Sequence, residues 1–504
     1  MPSALMVQGT TSNAGKSVIA SGLCRIFSRY GLRVAPFKPQ NMALNSAVTT
    51  DGGEIGRSQA VQALACGIES HTDMNPILLK PNSDKGAQVI INGHSIGNMD
   101  AVEYHAFKVR AIDYALKSFR RLQSQYDLII VEGAGSPAEI NLRENDVANM
   151  GFATAVNCPV VLVADIDRGG VFAHIKGTMD CLDQTEQQLV KGFLINRFRG
   201  DKTLLDSGID WLTANTGIPT LGVLPYLKGL HIEAEDAVDQ RSSEDIASID
   251  VITDEAANRI RIVVPRIPRI SNHTDFDVLR IHPAVDLEFV NEGDSIPSSD
   301  LIILPGSKST ISDLNWLFDN GWDQHIRRHL RYGGKLIGIC GGYQMIGRMI
   351  HDPEGIEGPP GSLSGLALMD FETVLEPEKQ LKRVSGKFVE GGAQVEGYEI
   401  HLGTTSGPDL KNPAVILQNS DNMVSVNDFD GGVFSSDRQI FCTYLHGVFD
   451  HREARRHLIK WAGLESNLEF DYQALREREI DRVADMLEQE VGRTALLNMV
   501  GVTL

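Results

Sequence analysis

Leu336-Ile337-Gly338-Ile339-Cys340-Gly341-Gly342-Tyr343-Gln344 joins an apolar run to a cysteine and two glycines. The pattern predicts a buried strand, a sharp turn that only small residues permit, and a helix. Such a turn lifts a thiol out of a sheet and aims backbone N–H groups at the bond under attack. A buried structural cysteine is the plain alternative, the usual fate of a free thiol. Two other strand ends weigh against it. Leu301-Ile302-Ile303-Leu304-Pro305-Gly306-Ser307-Lys308 is an apolar run closed by a Pro-Gly turn, and an amide near Gly306 can complete an oxyanion hole with the N–H of Gly341. Ile440-Phe441-Cys442-Thr443-Tyr444-Leu445-His446-Gly447 delivers a histidine at a strand end. A thiol nucleophile needs a base that takes its proton and returns it to the leaving group, and imidazole does both near neutral pH.

The N-terminal half carries a second chemistry. Leu5-Met6-Val7-Gln8 reads as a strand, Gly9-Thr10-Thr11-Ser12-Asn13-Ala14-Gly15-Lys16-Ser17 follows, and Ile19, Leu23, Ile26, Phe27 and Tyr30 recur at helical spacing. Strand, glycine-rich loop, Gly-Lys-Ser and helix form a phosphate cradle. Its backbone amides (Thr10, Asn13, Ala14, Gly15) and Lys16 hold the phosphates of ATP, and the Ser17 hydroxyl ligates Mg²⁺. Five residues separate the two glycines, one more than the strict pattern. Asp127-Leu128-Ile129-Ile130-Val131-Glu132-Gly133-Ala134-Gly135 ends a buried strand in an acid, and Glu132 is the expected partner of Mg²⁺. Val160 to Asp165 ends likewise. Asp165 either helps at the terminal phosphate or caps a helix, and the sequence leaves both open. Phe107, Ala111, Tyr114 and Ala115 make a helical stripe read as core-facing surface. Lys38, in Val34-Ala35-Pro36-Phe37-Lys38-Pro39-Gln40-Asn41-Met42-Ala43-Leu44-Asn45-Ser46, is able to neutralise a carboxylate or an acyl phosphate; a proline-stiffened surface loop is the alternative.

These motifs resemble known families. The three strand ends around Cys340 resemble the glutaminase domain of class I glutamine amidotransferases. Those enzymes place an acid two positions after the histidine, where this chain has Val448. The resemblance is therefore to the atypical subtype of cobyrinic and cobyric acid synthases, and implies a Cys340–His446 dyad. Glu399, in Tyr398-Glu399-Ile400-His401, is left without a role. The Gly9–Ser17 loop is similar to the dethiobiotin-synthetase branch of P-loop proteins. That likeness implies adenine recognition by Asn196, in Gly192-Phe193-Leu194-Ile195-Asn196-Arg197, and a second metal-binding acid at Glu54, with Asp51 its competitor. Lys38 to Ser46 and Gly133-Ala134-Gly135-Ser136-Pro137-Ala138-Glu139-Ile140-Asn141-Leu142 resemble signatures of the cobyric acid synthase family, which implies substrate contacts from Lys38, Gln40, Asn41 and Ser46.

The implied fold class is α/β in two domains, each a mostly parallel sheet flanked by helices, P-loop dethiobiotin-synthetase-like and then class I glutaminase-like. The expected boundaries are residues 1–235 for an ATP-dependent amidoligase domain, 236–257 for an acid- and serine-rich linker, 258–452 for the glutaminase domain and 453–504 for a helical C-terminal segment. The implied activity is that of a glutamine-hydrolysing carbon–nitrogen ligase. It would amidate the b, d, e and g carboxylates of adenosylcobyrinic acid a,c-diamide to adenosylcobyric acid, in cobalamin biosynthesis, with ATP, Mg²⁺, glutamine and a corrinoid and no tightly bound organic cofactor. Free ammonium is not a nucleophile, so an enclosed path between the two sites is expected. Cobyrinic acid a,c-diamide synthase is the nearest alternative. A non-catalytic ATP switch is the other, and its support is the missing acid after His446.

Composition is consistent with that reading. A chain of 504 residues exceeds one core. A net charge of −19 argues against nucleic acid as a main partner. No apolar run approaches the roughly 20 residues of a membrane span, and no secretory signal precedes Leu5, so membrane insertion is not expected and a cytoplasmic location is. The six cysteines are scattered without CxxC spacing, which argues for a reducing compartment and against structural zinc or disulfides.

Overall fold

The computed structural model describes residues 3–82, 86–233, 259–418, 431–464 and 471–502. The acid-rich linker expected at 236–257 lies outside the described residues. The chain separates into two units, each built on a parallel sheet flanked by helices. Among the described residues the first takes 3–43, 49–233 and 474–502, and the second takes 44–48, 259–418, 431–464 and 471–473.

In the first unit six parallel strands lie in the order Thr220–Pro225, Val190–Phe198, Val160–Asp165, Ser3–Gly9, Leu128–Glu132 and Val34–Phe37. Their apolar runs are buried on both faces, as a sheet covered by helices on either side requires. Register places chemistry at one edge. Val7 pairs with Glu132, Gly9 with Val163 and Asp165 with Asn196, so Gly9, Glu132, Asp165 and Asn196 all stand at C-terminal strand ends. On one face, helix Ala101–Gln123 starts in a capping box between Asp100 and Glu103 and buries Ala111, Ala115, Phe119 and Leu122. Phe119 packs against Phe37 and Phe152, ring centroids 5.3 Å apart in each pair. On the other face, helix Lys16–Arg29 shares a core with helices Tyr472–Val491 and Arg493–Val500. A side chain at Gly22 would meet Leu487 Cδ1 at 2.6 Å and Val483 Cγ1 at 2.7 Å, so glycine permits this approach. Arg29 pairs with Asp481 at 2.8 Å and Asp485 at 2.6 Å along the rim. A smaller sheet of Gln40–Met42, Ile77–Pro81, Gly86–Ile91 and His94–Asp100 is attached.

The second unit has six strands in the order Val285–Val290, Ile260–Pro265, Leu301–Leu304, Lys335–Ile339, Ile440–Thr443 and Val433–Phe434, with only the last pair antiparallel. Leu304 pairs with Gly338 and Ile339 with Thr443, which brings the Pro305–Gly306 turn, Cys340 and the segment leading to His446 to one edge. A second, largely antiparallel sheet is built on the long strands Glu372–Phe388 and Gln394–Ser406. Beyond Thr443 the chain passes into it, and Leu445–His446 pairs with Glu399 and Tyr398.

Candidate active site

Cys340 follows its strand with φ 51 and ψ −109, a conformation L-residues rarely adopt, and helix Gly341–Ile346 begins at the next residue. The two glycines are steric requirements. A Cβ at Gly341 would sit 2.8 Å from Ser307 N, and one at Gly342 would sit 2.2 Å from Leu304 O. The Gly341 N–H is the first of a helix and has no intrahelical acceptor, which leaves it available to an oxyanion. Gly306 lies against the imidazole of His446, whose Cε1 would be 2.9 Å from a Cβ placed there. The Ser307 hydroxyl donates to Asp313 at 2.5 Å, and burial lifts that carboxyl to about 7 against the hydrogen bonds from Ser307 and Arg269. The Cys340 thiol, 5% exposed, donates to the carbonyl of Ile400 at 3.4 Å.

His446 is fully buried and its Nδ1 donates to Asp275 Oδ2 at 2.7 Å. The other carboxylate oxygen accepts the N–H of Gly447 at 2.8 Å. Burial pulls the imidazole toward its neutral form. The Asp275 charge, then that of Cys340, and the hydrogen bond to Asp275 push its pKa up to about 10. Nε2 makes no well-aligned hydrogen bond to a described residue, yet the sulfur is near enough for its charge to act on the ring. The Tyr398 ring stacks on the imidazole at 5.5 Å. The sequence implied a Cys340–His446 pair with no acid in the usual place, which Val448 occupies. A carboxylate does hold His446, but it comes from the turn after strand Ile260–Pro265. Asn272-His273-Thr274-Asp275 is a polar stretch beyond the end of that strand, without the apolar run closed by glycine that marks the other site residues. Glu399 faces away from His446's strand neighbour Tyr398 by the alternation of strand side chains, and is 1% exposed.

In the first unit, Gly15 has φ 98, and a Cβ there would meet Asn196 Nδ2 at 2.3 Å. That same amide donates to the Ala14 carbonyl at 2.9 Å, so Asn196 braces the loop from behind. Lys16 Nζ donates to the carbonyls of Thr11, Ser12 and Gly135 at 3.2, 3.0 and 2.9 Å, and Asn13 is exposed. Ser17 Oγ donates to Glu132 Oε1 at 2.7 Å, and the same oxygen accepts from Lys38 Nζ at 3.0 Å. Gln62, which the sequence reading passed over, donates to Glu132 Oε2 at 2.5 Å. Asp165 accepts from Arg197 and from the N–H of Asp167, which places it in its own turn. Glu54 pairs with Lys80 at 2.7 Å, and Asp51 holds Thr72 at 2.6 Å. Gln40 accepts from Tyr104 at 2.6 Å and Asn41 donates to Gln59 at 3.2 Å. Ser46 belongs with the second unit, its N–H donating to Asn272 Oδ1 at 3.0 Å.

The donor set around Ser17 and Glu132 suits a magnesium ion. A hydroxyl and a carboxylate converge, and Gln62, whose amide donates to Glu132, leaves its buried Oε1 with no partner among the described residues. Elsewhere among the described residues no cluster of metal-ligating side chains occurs, all six cysteines are free thiols, and no helix is long and apolar enough to cross a membrane.

Comparison with known proteins follows the same division. Residues 5–237 match the CobQ/CobB/MinD/ParA nucleotide binding domain, and residues 261–454 match the CobB/CobQ-like glutamine amidotransferase domain. Among solved structures, PurLQS from Thermotoga maritima is 15% identical over 45% of this chain and 97% of its own, with a TM-score of 0.29. A glutamine amidotransferase is 14% identical over 40% and 99%, also at 0.29. The signal recognition particle receptor FtsY from Elizabethkingia anophelis, in complex with GDP, is 14% identical over 44% and 57%, at 0.26.

Proposed function

From a chain with the two-domain architecture of cobyric acid synthase, an ATP-dependent glutamine amidotransferase of the cobalamin-amidation type, we propose cobyric acid synthase activity itself: amidation of the b, d, e and g carboxylates of adenosylcobyrinic acid a,c-diamide. The observation that carries the amidotransferase chemistry is Cys340 on a strained elbow beside an imidazole that Asp275 holds at 2.7 Å. The Lys38–Ser46 sequence supports this corrin over the less amidated substrate of cobyrinic acid a,c-diamide synthase. The Asp275 carboxylate beside His446 supports glutaminase chemistry over the ATP-switch alternative, whose ground was the missing acid at Val448.

In the glutaminase half, His446 Nε2 holds the proton that Cys340 gives up, as the raised pKa of the ring favours, and Sγ attacks the glutamine amide carbon. The N–H of Gly341 and the Gly306 turn receive the charge that develops on the amide oxygen. His446 returns the proton to the departing nitrogen, ammonia leaves, and a thioester remains. Water then adds with His446 as base, releasing glutamate and the thiol. Asp275 fixes the tautomer that leaves Nε2 facing the sulfur and stabilises the ring when charged.

In the synthetase half, a carboxylate is a poor electrophile toward ammonia. Its oxygen attacks the γ-phosphorus of ATP, ADP leaves, and the acyl phosphate so formed has a good leaving group. Ammonia displaces phosphate and gives the amide. Lys16 and the loop amides hold the phosphates. Ser17 and Glu132 would hold the magnesium ion, which neutralises phosphate charge when bound. Lys38, which donates to Glu132 Oε1 at 3.0 Å, supplies positive charge beside that carboxylate.

Mass spectrometry of the corrin after incubation with ATP, Mg²⁺ and glutamine tests the proposal. Four successive replacements of hydroxyl by amino are expected from the a,c-diamide. Turnover of cobyrinic acid instead, with the a,c-diamide unchanged, refutes the assignment.

A further inference from the structure

We propose that Asn45 is a positioning residue for the glutaminase triad, clamping the turn that aims Asp275 at His446. The inference rests on the amidotransferase reading above. In sequence Asn45 lies beside the synthetase loop, about 230 positions before that turn, yet segment 44–48 groups with the second unit. Its side-chain amide is engaged at both ends by one residue: Oδ1 accepts the N–H of His273 at 3.1 Å, and Nδ2 lies 2.7 Å from His273 Nε2. The neighbouring N–H of Ser46 donates to Asn272 Oδ1 at 3.0 Å. Asn45, Ser46, Asn272, His273 and Asp275 are all buried, so these bonds form out of water, where a lost partner is costly.

The direction of the second bond follows from the ring's state. Burial first, then the Arg280 charge, hold the His273 imidazole near a pKa of about 4, against the opposing pull of Asp275. The ring is therefore neutral at working pH, and Nε2 accepts from the Asn45 amide.

The turn needs an external hold. Asn272 has φ 51, a left-handed conformation that costs free energy unless its surroundings impose it. Inside the turn, Asp275 N–H donates to the Asn272 carbonyl at 2.9 Å, so the position of Asn272 sets that of Asp275. Ser271 N–H donates to the Gly306 carbonyl at 2.9 Å, which ties the same turn to the oxyanion loop. Three hydrogen bonds from residues 45 and 46 thus fix the rotation of a turn that carries the triad acid and touches the oxyanion loop.

The test uses full-length protein and compares two nitrogen donors, glutamine and ammonium chloride, with the a,c-diamide corrin and ATP. Asn45→Ala should lower kcat for glutamine hydrolysis about 30-fold with KM within threefold, because the reacting groups lose alignment and glutamine binding does not. The upper limb of its pH profile should move to lower pH, as Asp275 loosens from His446. Ammonium-dependent amidation should stay within twofold of the parent. Asn45→Asp keeps the acceptor for the His273 N–H and should fall between the two. A kcat for Asn45→Ala within threefold of the parent overturns the proposal, and so does an equal loss with both nitrogen donors. A parent that releases no ammonia from glutamine sinks the amidotransferase reading itself, whereas an active parent with an indifferent Asn45→Ala sinks the clamp alone.

Discussion

Asp275→Asn tests the triad most directly. The substitution keeps the side-chain shape, so the Gly447 N–H still finds an acceptor, but it removes the charge that faces His446 Nδ1 at 2.7 Å. The imidazole pKa stands at about 10 against an ordinary 6.5, and at about 1.4 kcal/mol for each tenfold this is about 5 kcal/mol of preference for the charged ring. Asp275 is the first cause raising it, while burial acts the other way. Without the carboxylate the buried ring should fall below 6.5, and the amide NH₂ would favour the tautomer with its proton on Nε2, which cannot take one from Cys340. Loss of this orientation costs about 10⁴ in kcat in a serine-protease triad. Part of that term survives here in the stacked Tyr398 ring and the elbow amides, so a fall of about 10³ is expected, with KM for glutamine within threefold. The assay is ammonia release from glutamine, run beside amidation with ammonium chloride, which should be retained. A variant within threefold of the parent kcat would show that Asp275 holds the fold and not the reaction.

Cys340→Ser should abolish ammonia release while leaving ammonium-dependent amidation intact; equal background release by parent and variant would revive the ATP-switch alternative. Ser17→Ala and Glu132→Gln should each cut ATP-dependent amidation by at least about 100-fold, with glutamine hydrolysis measured alone largely retained; unchanged ATP turnover would move the phosphate chemistry elsewhere. For Asp313 the folded carboxyl binds its proton up to about pH 7, whereas the unfolded one releases it near 3.8. Its contribution to stability therefore declines as pH rises between those values. Asp313→Asn should flatten that slope and raise the urea midpoint at pH 8 relative to the parent; the opposite order at pH 8 would contradict the protonation argument. Leu487→Ala removes a fully buried side chain from the core shared with Leu5, Leu23 and Phe27 and should cost about 2–5 kcal/mol of stability. A variant as stable as the parent would place that C-terminal helix outside the first unit's core.

Much of the site could be read from contiguous residues because its signals are local. An apolar run followed at once by glycines specifies a buried strand and a tight turn wherever it occurs, which is why Gly9, Glu132, Gly306, Cys340 and His446 were legible as strand ends. Within each unit, parallel pairing then brings its own strand ends to one edge of its sheet. Asp275, Gln62 and Asn45 had no such marker. Asp275 sits in a polar turn like many others, and only the packing of strand Ile260–Pro265 beside Leu301–Leu304 brings it to His446. Gln62 lies on a helix with no distinct apolar stripe, and Asn45 was read with its sequence neighbours Lys38 and Asn41. The expected roles of Glu54 and Ser46 rest on family resemblance; in the folded chain Glu54 pairs with Lys80 and the Ser46 N–H donates to Asn272. Likewise, nothing in the amphipathic pattern of Ile480 to Val491 names its partner. A helix stripe states that a face must be buried, and the facing surface is chosen by shape, here by the absent side chain of Gly22. By itself the sequence determined where the chain bends, which runs are buried and which reactive groups stand at the bends, since backbone sterics and apolar periodicity act over a few residues. Tertiary structure alone decided which distant carboxylate, amide or helix meets them, because those contacts depend on loops that close over hundreds of residues and leave no local trace.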